Sequence, residues 1–231
     1  MINHKASVRI VSHSPAPFAD RLEAGLLLAR ELAGLKQKRA VVLGIPRGGI
    51  VVAQTLAGEI DADVDIVLSR KLGTPGQTEL AMGAMAEDGE VFLNDYIIRE
   101  VGVSPSEIEQ EKERQMAEIR RRTQLIRAVL PKVPLKDRIA VITDDGVATG
   151  ATMQVAVWAI LREKPQKLIV AVPVASSEAV NRLAQDADEI LCLRLPPMFM
   201  AVGQFYRRFE QVTDGEVLEI LKWERERRAG R

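Results

Sequence analysis

Cysteine and histidine are almost missing from this chain. Its single cysteine, Cys192, excludes an internal disulfide, and both histidines, His4 and His13, stand near its beginning. A zinc site of the His/Cys type, or a Ser-His or Cys-His nucleophile pair, would have to recruit a residue of that leading segment, so these chemistries are set aside. Net charge is missing too, because Lys and Arg number 32 and Asp and Glu number 32. Nothing global then draws the chain to a nucleic acid or an anionic membrane, and neither is expected as a partner. No apolar run approaches bilayer length, and the opening MINHKASVRIVSHSPAPFADR lacks the uninterrupted apolar core of a signal peptide. The chain reads as cytoplasmic. It has no internal repeat, low-complexity tract or second-domain linker, and 231 residues that are 47% apolar suffice for one sizeable core. A single domain spanning 1–231 is expected.

Strand and helix signals alternate along it. After a polar tail over residues 1–17, Phe18 to Gly34 places Leu22, Leu26, Ala29 and Leu32 at helical spacing, with Gly34 as the stop. The apolar run AVVLG (Ala40–Gly44) reads as a buried strand, GIPRGG as a tight loop, Ile50 to Ile60 as a helix and Val64 to Ser69 as a second strand. Two strands joined by a helix call for a parallel sheet. Arg70 to Leu93 is Gly-rich and weakly periodic until a hairpin signal at EDGEV, so it is expected to be a long mobile loop with short antiparallel strands. Ser104, Pro105 and Glu107 spell a capping box for a helix reaching about Leu130. Arg120, Arg121, Arg122 and Arg127 in its second half complement the helix dipole, which is favoured over an RNA-binding patch. Strand signals return at RIAVIT, KLIVAVPVA and EILCLRL, with helices from about Thr152 to Glu163 and from Ser177 to Gln185 between them. The sum is an α/β fold with a doubly wound, mainly parallel five-stranded sheet, in which ligands bind outside the carboxyl ends of the strands.

The stretch VITDDGVATGATM (Val141–Met153) occupies such an end. In GVATGAT the small residues let backbone N–H groups converge, and the Thr149 and Thr152 hydroxyls add donors at a helix start, which makes a phosphate cradle. It is not a Walker A loop, because Ala151 follows Gly150 where a lysine would stand, and no G-x-x-x-x-G-K-[ST] occurs. Asp144 and Asp145 just before the cradle would repel a bare phosphate unless the ligand brings hydroxyl donors or a metal. A sugar phosphate brings both. An Asp-Gly turn that merely caps a helix accounts for Asp145 and Gly146, but not for two acids and two threonines.

These residues resemble the PRPP-binding motif of the type I phosphoribosyltransferases: a hydrophobic strand, two acids and a small-residue loop ending Thr-Gly-x-Thr. The resemblance in strand order covers about Ala40 to Leu195, and GIPRGG with RKLGTPGQTELAMGA is similar to a bacterial group described only by that general name. It implies a core over 40–195 and a hood with a C-terminal helix over 196–231. It also implies that Asp144 and Asp145 hold the ribose hydroxyls, that Ala148, Thr149, Gly150, Ala151 and Thr152 hold the 5′-phosphate, and that Gly146 and Val147 belong to the same ribose and 5′-phosphate site. Pyrophosphate then falls to Pro46, Arg47, Gly48, Gly49, Arg70 and Lys71, and the loop after Lys71 resembles the family's flexible cover. The reaction implied is displacement of pyrophosphate from C1 of PRPP by a nitrogenous base or other amine, with Asp144, Asp145 and Lys71 as candidate catalytic residues. The transition state is oxocarbenium-like, so the leaving diphosphate needs neutralising. Magnesium (Mg2+) is the expected cofactor, held mainly by PRPP with Asp144 and Asp145 as candidate ligands. A homodimer in nucleotide salvage is the family expectation.

The acceptor is less legible. Members acting on 6-oxopurines usually carry an Asp where this chain has Ala148, which disfavours hypoxanthine and guanine. Glu79 is a candidate proton acceptor, although an exposed loop glutamate is more often only solvated. Phe199, Phe205, Tyr206 and Phe209 cluster after the last core strand. Phe199 and Tyr206 are candidates for a base-stacking wall, and core packing or a subunit interface explains the cluster as well. Two other classes compete: a catalytically weak regulatory protein that binds PRPP or a nucleotide, and a phosphate-loop hydrolase or kinase, which the missing loop lysine disfavours.

Overall fold

The computed structural model describes residues 6–230, with the side chains of Thr78 and Glu79 outside that description. Its centre is a parallel sheet of β1 (Ser7–Ser12), β2 (Val41–Gly44), β3 (Asp63–Ile66), β7 (Ile139–Thr143), β8 (Lys167–Val174) and β9 (Glu189–Arg194), in the order β1-β9-β8-β7-β2-β3. The four middle strands read as apolar runs because both of their faces are covered. Val42, Val141, Ile169 and Leu191 point into the layer with α1 (Arg21–Glu31) and α2 (Gly48–Ile60), while Val41, Ile142, Val170 and Ile190 point into the layer with α5 (Ala151–Leu161) and α6 (Ser177–Leu183).

Six strands stand where five are expected. The sixth, β1, lies within the stretch read as a polar tail and pairs in parallel with β9 from Ser7↔Glu189 to Ser12↔Arg194. It is an edge strand whose side chains are largely exposed, so backbone pairing holds it and its sequence carries little hydrophobic signal.

The segment expected to be a long loop with short antiparallel strands forms a second, three-stranded sheet, so the expected strands are present and the loop between them is shorter. β4 (Ser69–Thr74), β5 (Gln77–Ala86) and β6 (Val91–Leu93) pair antiparallel. Leu72, Met82 and Met85 are fully buried beneath it. The EDGEV hairpin is present, with Gly89 at φ +84° and the Ala86 N–H donating to Glu90 O at 2.8 Å. Positive φ at that position suits glycine. The chain leaves the parallel sheet at Ile66, so the strand expected to run to Ser69 is two strands in two sheets.

α3 (Asp95–Val101) leads to α4 (Pro105–Val129), whose capping box is formed by Ser104 and Glu107 as the sequence implies. Arg127 anchors α4: it donates to Asp65 Oδ1 at 2.6 Å and to Glu87 Oε2 at 2.8 Å. The last helix, α7 (Asp214–Ala229), packs against β3, α2 and α4. Its fully buried Glu224 accepts the Val64 N–H at 3.0 Å, so a side chain covers part of the open β3 edge. Among the described residues no helix is long and apolar enough to cross a membrane.

Candidate active site

β2 and β7 are neighbours in register, Gly44 opposite Thr143, so the loops leaving their carboxyl ends lie side by side. The Ile45 N–H donates to Thr143 O at 3.0 Å and fixes that approach. Next come Pro46 and Arg47, joined by a cis peptide, and then Gly48 and Gly49, which open α2 against the acid pair. A Cβ on Gly48 would stand 1.9 Å from Asp145 Oδ2, and one on Gly49 would stand 2.9 Å from Asp144 Oδ1. The double glycine is therefore a close-approach requirement.

Asp144 Oδ1 accepts the Asp145 N–H at 2.8 Å. Burial, followed by the neighbouring Asp145 charge, raises the Asp144 pKa well above the usual carboxylate range, against the opposing pull of the Asp145 and Gly49 amides and Arg21. Burial also raises Asp145, but Arg21 counters it by binding Oδ2 through Nε at 2.9 Å and Nη2 at 2.8 Å. Arg21 comes from the first turn of α1. Its guanidinium also donates to Glu210 O at 2.9 Å and lies 4.0 Å from the Phe209 ring centroid.

The aromatic stretch after β9 closes over this point. The Tyr206 hydroxyl donates to Asp145 O at 2.5 Å, and burial pushes its pKa up. Its ring is enclosed between Phe18, at 5.5 Å, and Phe209, stacked at 5.0 Å. Tyr206 is thus a buried support for the Asp145 backbone, where the sequence suggests a stacking wall. Phe199 is half-buried and packs on Phe205 at 5.1 Å.

The small-residue loop is pinned from behind. The Val147 N–H donates to Val174 O at 2.9 Å, the Ser176 N–H donates to Val147 O at 3.0 Å, and the Ser176 hydroxyl donates to Ala148 O at 2.5 Å. Gly150 caps α5 with φ +79° and is buried, while Ala148, Thr149 and Thr152 are exposed. A Cβ on Gly146 would stand 2.5 Å from Val202 of the hood loop. The loop therefore presents its threonines and the amino end of α5 outward from a fixed frame.

The cations divide. Pro46, Arg70, Lys71 and Thr152 line one cleft of about 390 Å³ between β4 and α4, together with Glu111, Arg114, Gln115 and Arg122 of α4. Arg47 is not on that lining and lies exposed, with Nη1 3.8 Å from Asp214 Oδ1 at the start of α7. Glu79 belongs to β5, and its side chain is outside the described residues. His4 also lies outside them, and the His13 Nδ1 is 2.9 Å from Leu195 O at the sheet edge. Sequence reasoning missed Arg21 and Arg114. No local motif marks either, since Arg21 meets Asp145 across 124 positions of chain.

Among the described residues no group of three or more His, Cys, Asp or Glu side chains is placed to hold a metal. Two adjacent carboxylates supply hard oxygen ligands, which fit a magnesium ion that takes its remaining oxygens from a phosphorylated substrate and water.

The model of the phosphoribosyl transferase domain family matches residues 23–209. The chain belongs to this family. The matched span of this phosphoribosyltransferase domain includes Arg21's partner Asp145, the small-residue loop, the Arg47 loop and the basic strand β4. It is 44% identical over 204 residues to the "Putative phosphoribosyl transferase Rv0571c" of Mycobacterium tuberculosis, covering 88% of this chain and 46% of the relative. The chain thus spans about half the length of that curated relative. The crystal structure of TT1426 from Thermus thermophilus is 46% identical and superposes with a TM-score of 0.85, covering 90% of this chain and 98% of that one.

Proposed function

We propose that this domain binds PRPP with magnesium and transfers its phosphoribosyl group to a nitrogenous base or other amine. The observation that carries the reading is the acid pair itself: Asp144 and Asp145 sit between β7 and a Thr/Gly loop at a helix start, packed onto the Gly48-Gly49 turn. Carboxylates beside a phosphate cradle suit a ligand with hydroxyl donors next to a phosphate, and ribose 5-phosphate is such a ligand. The Asp144 and Asp145 carboxylates accept from the ribose hydroxyls, while Thr149, Thr152 and the N–H groups of the loop take the 5′-phosphate. The acceptor nitrogen attacks C1, the C1–oxygen bond breaks, pyrophosphate departs with the bonding electrons toward Arg70 and Lys71, and the acceptor's proton passes to the released pyrophosphate or to solvent. Magnesium, when bound, neutralises charge on the diphosphate oxygens. Differential stabilisation of that leaving charge is the main electrostatic task of the site. Soluble substrates of this kind fit a cytoplasmic enzyme of nucleotide salvage.

Pyrophosphate release from PRPP, measured with a panel of purine, pyrimidine and simple amine acceptors, tests the reading. Release that depends on one acceptor supports transfer. PRPP binding without release for any acceptor supports the sensor alternative. Ala148 leaves a 6-oxopurine without a local proton acceptor, so IMP and GMP are expected to form poorly compared with the product of the true acceptor. Efficient IMP or GMP formation would overturn that expectation.

A further inference from the structure

The cleft between β4 and α4 is lined by the cations Arg70, Lys71, Arg114 and Arg122 and, among the described side chains, by one carboxylate, Glu111, in a chain whose formal net charge is zero. Glu111 is already engaged: it accepts the Gly73 N–H at 3.3 Å and Gln115 Nε2 at 2.9 Å, and pairs with Arg114 at 2.6 Å. Arg122 shares Glu118 with Arg121, at 2.6 Å and 3.0 Å, so one carboxylate is divided between two guanidiniums and positive charge is left over. Arg70 is steered by the same helix, since its Nε donates to Oε1 of the buried Gln115 at 2.9 Å. α4 is a firm carrier, anchored through Arg127 to the buried Asp65 and to Glu87. Concave basic surfaces focus field and concentrate anions, and guanidinium forks match phosphate oxygens in pairs. The cleft opens onto Pro46 and Thr152, so it adjoins both the first loop and the phosphate loop.

We propose that Arg114 and Arg122 of α4 complete, with Arg70 and Lys71, a receptor for the diphosphate group of PRPP, and that this helix helps to discriminate PRPP from a ribose monophosphate. The inference rests on the PRPP reading above. It gives Arg122 a role beyond complementing the helix dipole.

Calorimetric titration of magnesium pyrophosphate, PRPP with magnesium, and ribose 5-phosphate tests it, using wild type, the Arg114→Ala/Arg122→Ala double variant and Arg120→Ala. Arg120 is exposed on the same helix and does not line the cleft, which makes it the control for general charge loss. The double variant is expected to bind pyrophosphate and PRPP about 10- to 100-fold more weakly and ribose 5-phosphate as wild type does. Arg120→Ala is expected to match wild type for all three. Arg122→Gln, a milder single change at an exposed position, is expected to show a smaller loss of the same selectivity. Unchanged pyrophosphate affinity in the double variant overturns the inference while leaving PRPP binding intact, and so does an equal loss in Arg120→Ala. Simultaneous binding of pyrophosphate and PRPP to wild type would also overturn it, because the cleft would then be a separate anion site. Wild type that binds neither ligand removes the PRPP reading and this inference together.

Discussion

Asp144 is expected to cost the fold something when it ionises. A free carboxyl titrates near ~3.9, and burial together with Asp145 lifts Asp144 well above that. Between those two pH values the unfolded chain releases a proton that the folded chain keeps. Stability from this group therefore falls as pH rises through the window, and the loss is complete above the folded-state value. Asp144→Asn keeps a carbonyl oxygen for the Asp145 N–H and carries no charge. Its melting temperature at pH 8 should equal or exceed that of wild type, while PRPP affinity falls. A melting temperature lower by several degrees would mean that the charged carboxylate supports the fold. Selection for function over stability is the physical reason to expect such a trade at a site. Asp144 and Asp145 were legible in the sequence because their neighbours in chain are also their neighbours in space. Arg21 was not, because its side chain reaches Asp145 from α1 across 124 positions of chain.

The elements were legible in proportion to their burial. β2, β7, β8 and β9 bury nearly every side chain and so appear as apolar runs. β1 buries few, and β4 and β5 each contain a glycine and have mixed faces, so backbone pairing decides them and hydrophobic pattern does not. The β2–α2 loop carries its own prediction. Arg47 has only Asp214, itself exposed, within 4 Å as an ion-pair partner among the described residues, and such a surface pair is worth ~0 to 1 kcal/mol. Arg47→Ala should therefore leave the melting temperature unchanged. If the loop receives the diphosphate, the same change should weaken PRPP and pyrophosphate binding by about 1 to 3 kcal/mol and spare ribose 5-phosphate. Equal losses for all three ligands would place Arg47 at the 5′-phosphate or in the fold, and unchanged pyrophosphate affinity would place the diphosphate away from Arg47.

At the scale of the whole molecule, the sheet has two open edges treated in different ways. β1 is largely solvated, whereas β3 is covered by α7 through Glu224, which also binds Arg227 at 2.7 Å and Arg228 at 2.9 Å. Removing one partner of such a buried set leaves charge and a backbone N–H unpaired, so Glu224→Ala should cost about 3 to 5 kcal/mol in urea unfolding. Arg225→Ala, at an exposed position of the same helix, should cost almost nothing, and similar midpoints for the two variants would contradict the edge-cover role. The doubly wound sheet then serves one end: the β2, β3 and β7 exits bring the glycine turn, the basic strand and the acid pair into one neighbourhood. Whether that neighbourhood binds PRPP through its acids is the central question. Titration of PRPP with magnesium into wild type and into the Asp144→Asn/Asp145→Asn double variant, both verified as folded, answers it most directly. The account predicts saturable binding by wild type and a loss of at least about 100-fold in the variant, from two lost charge-assisted contacts. Equal affinity in the two proteins would contradict it.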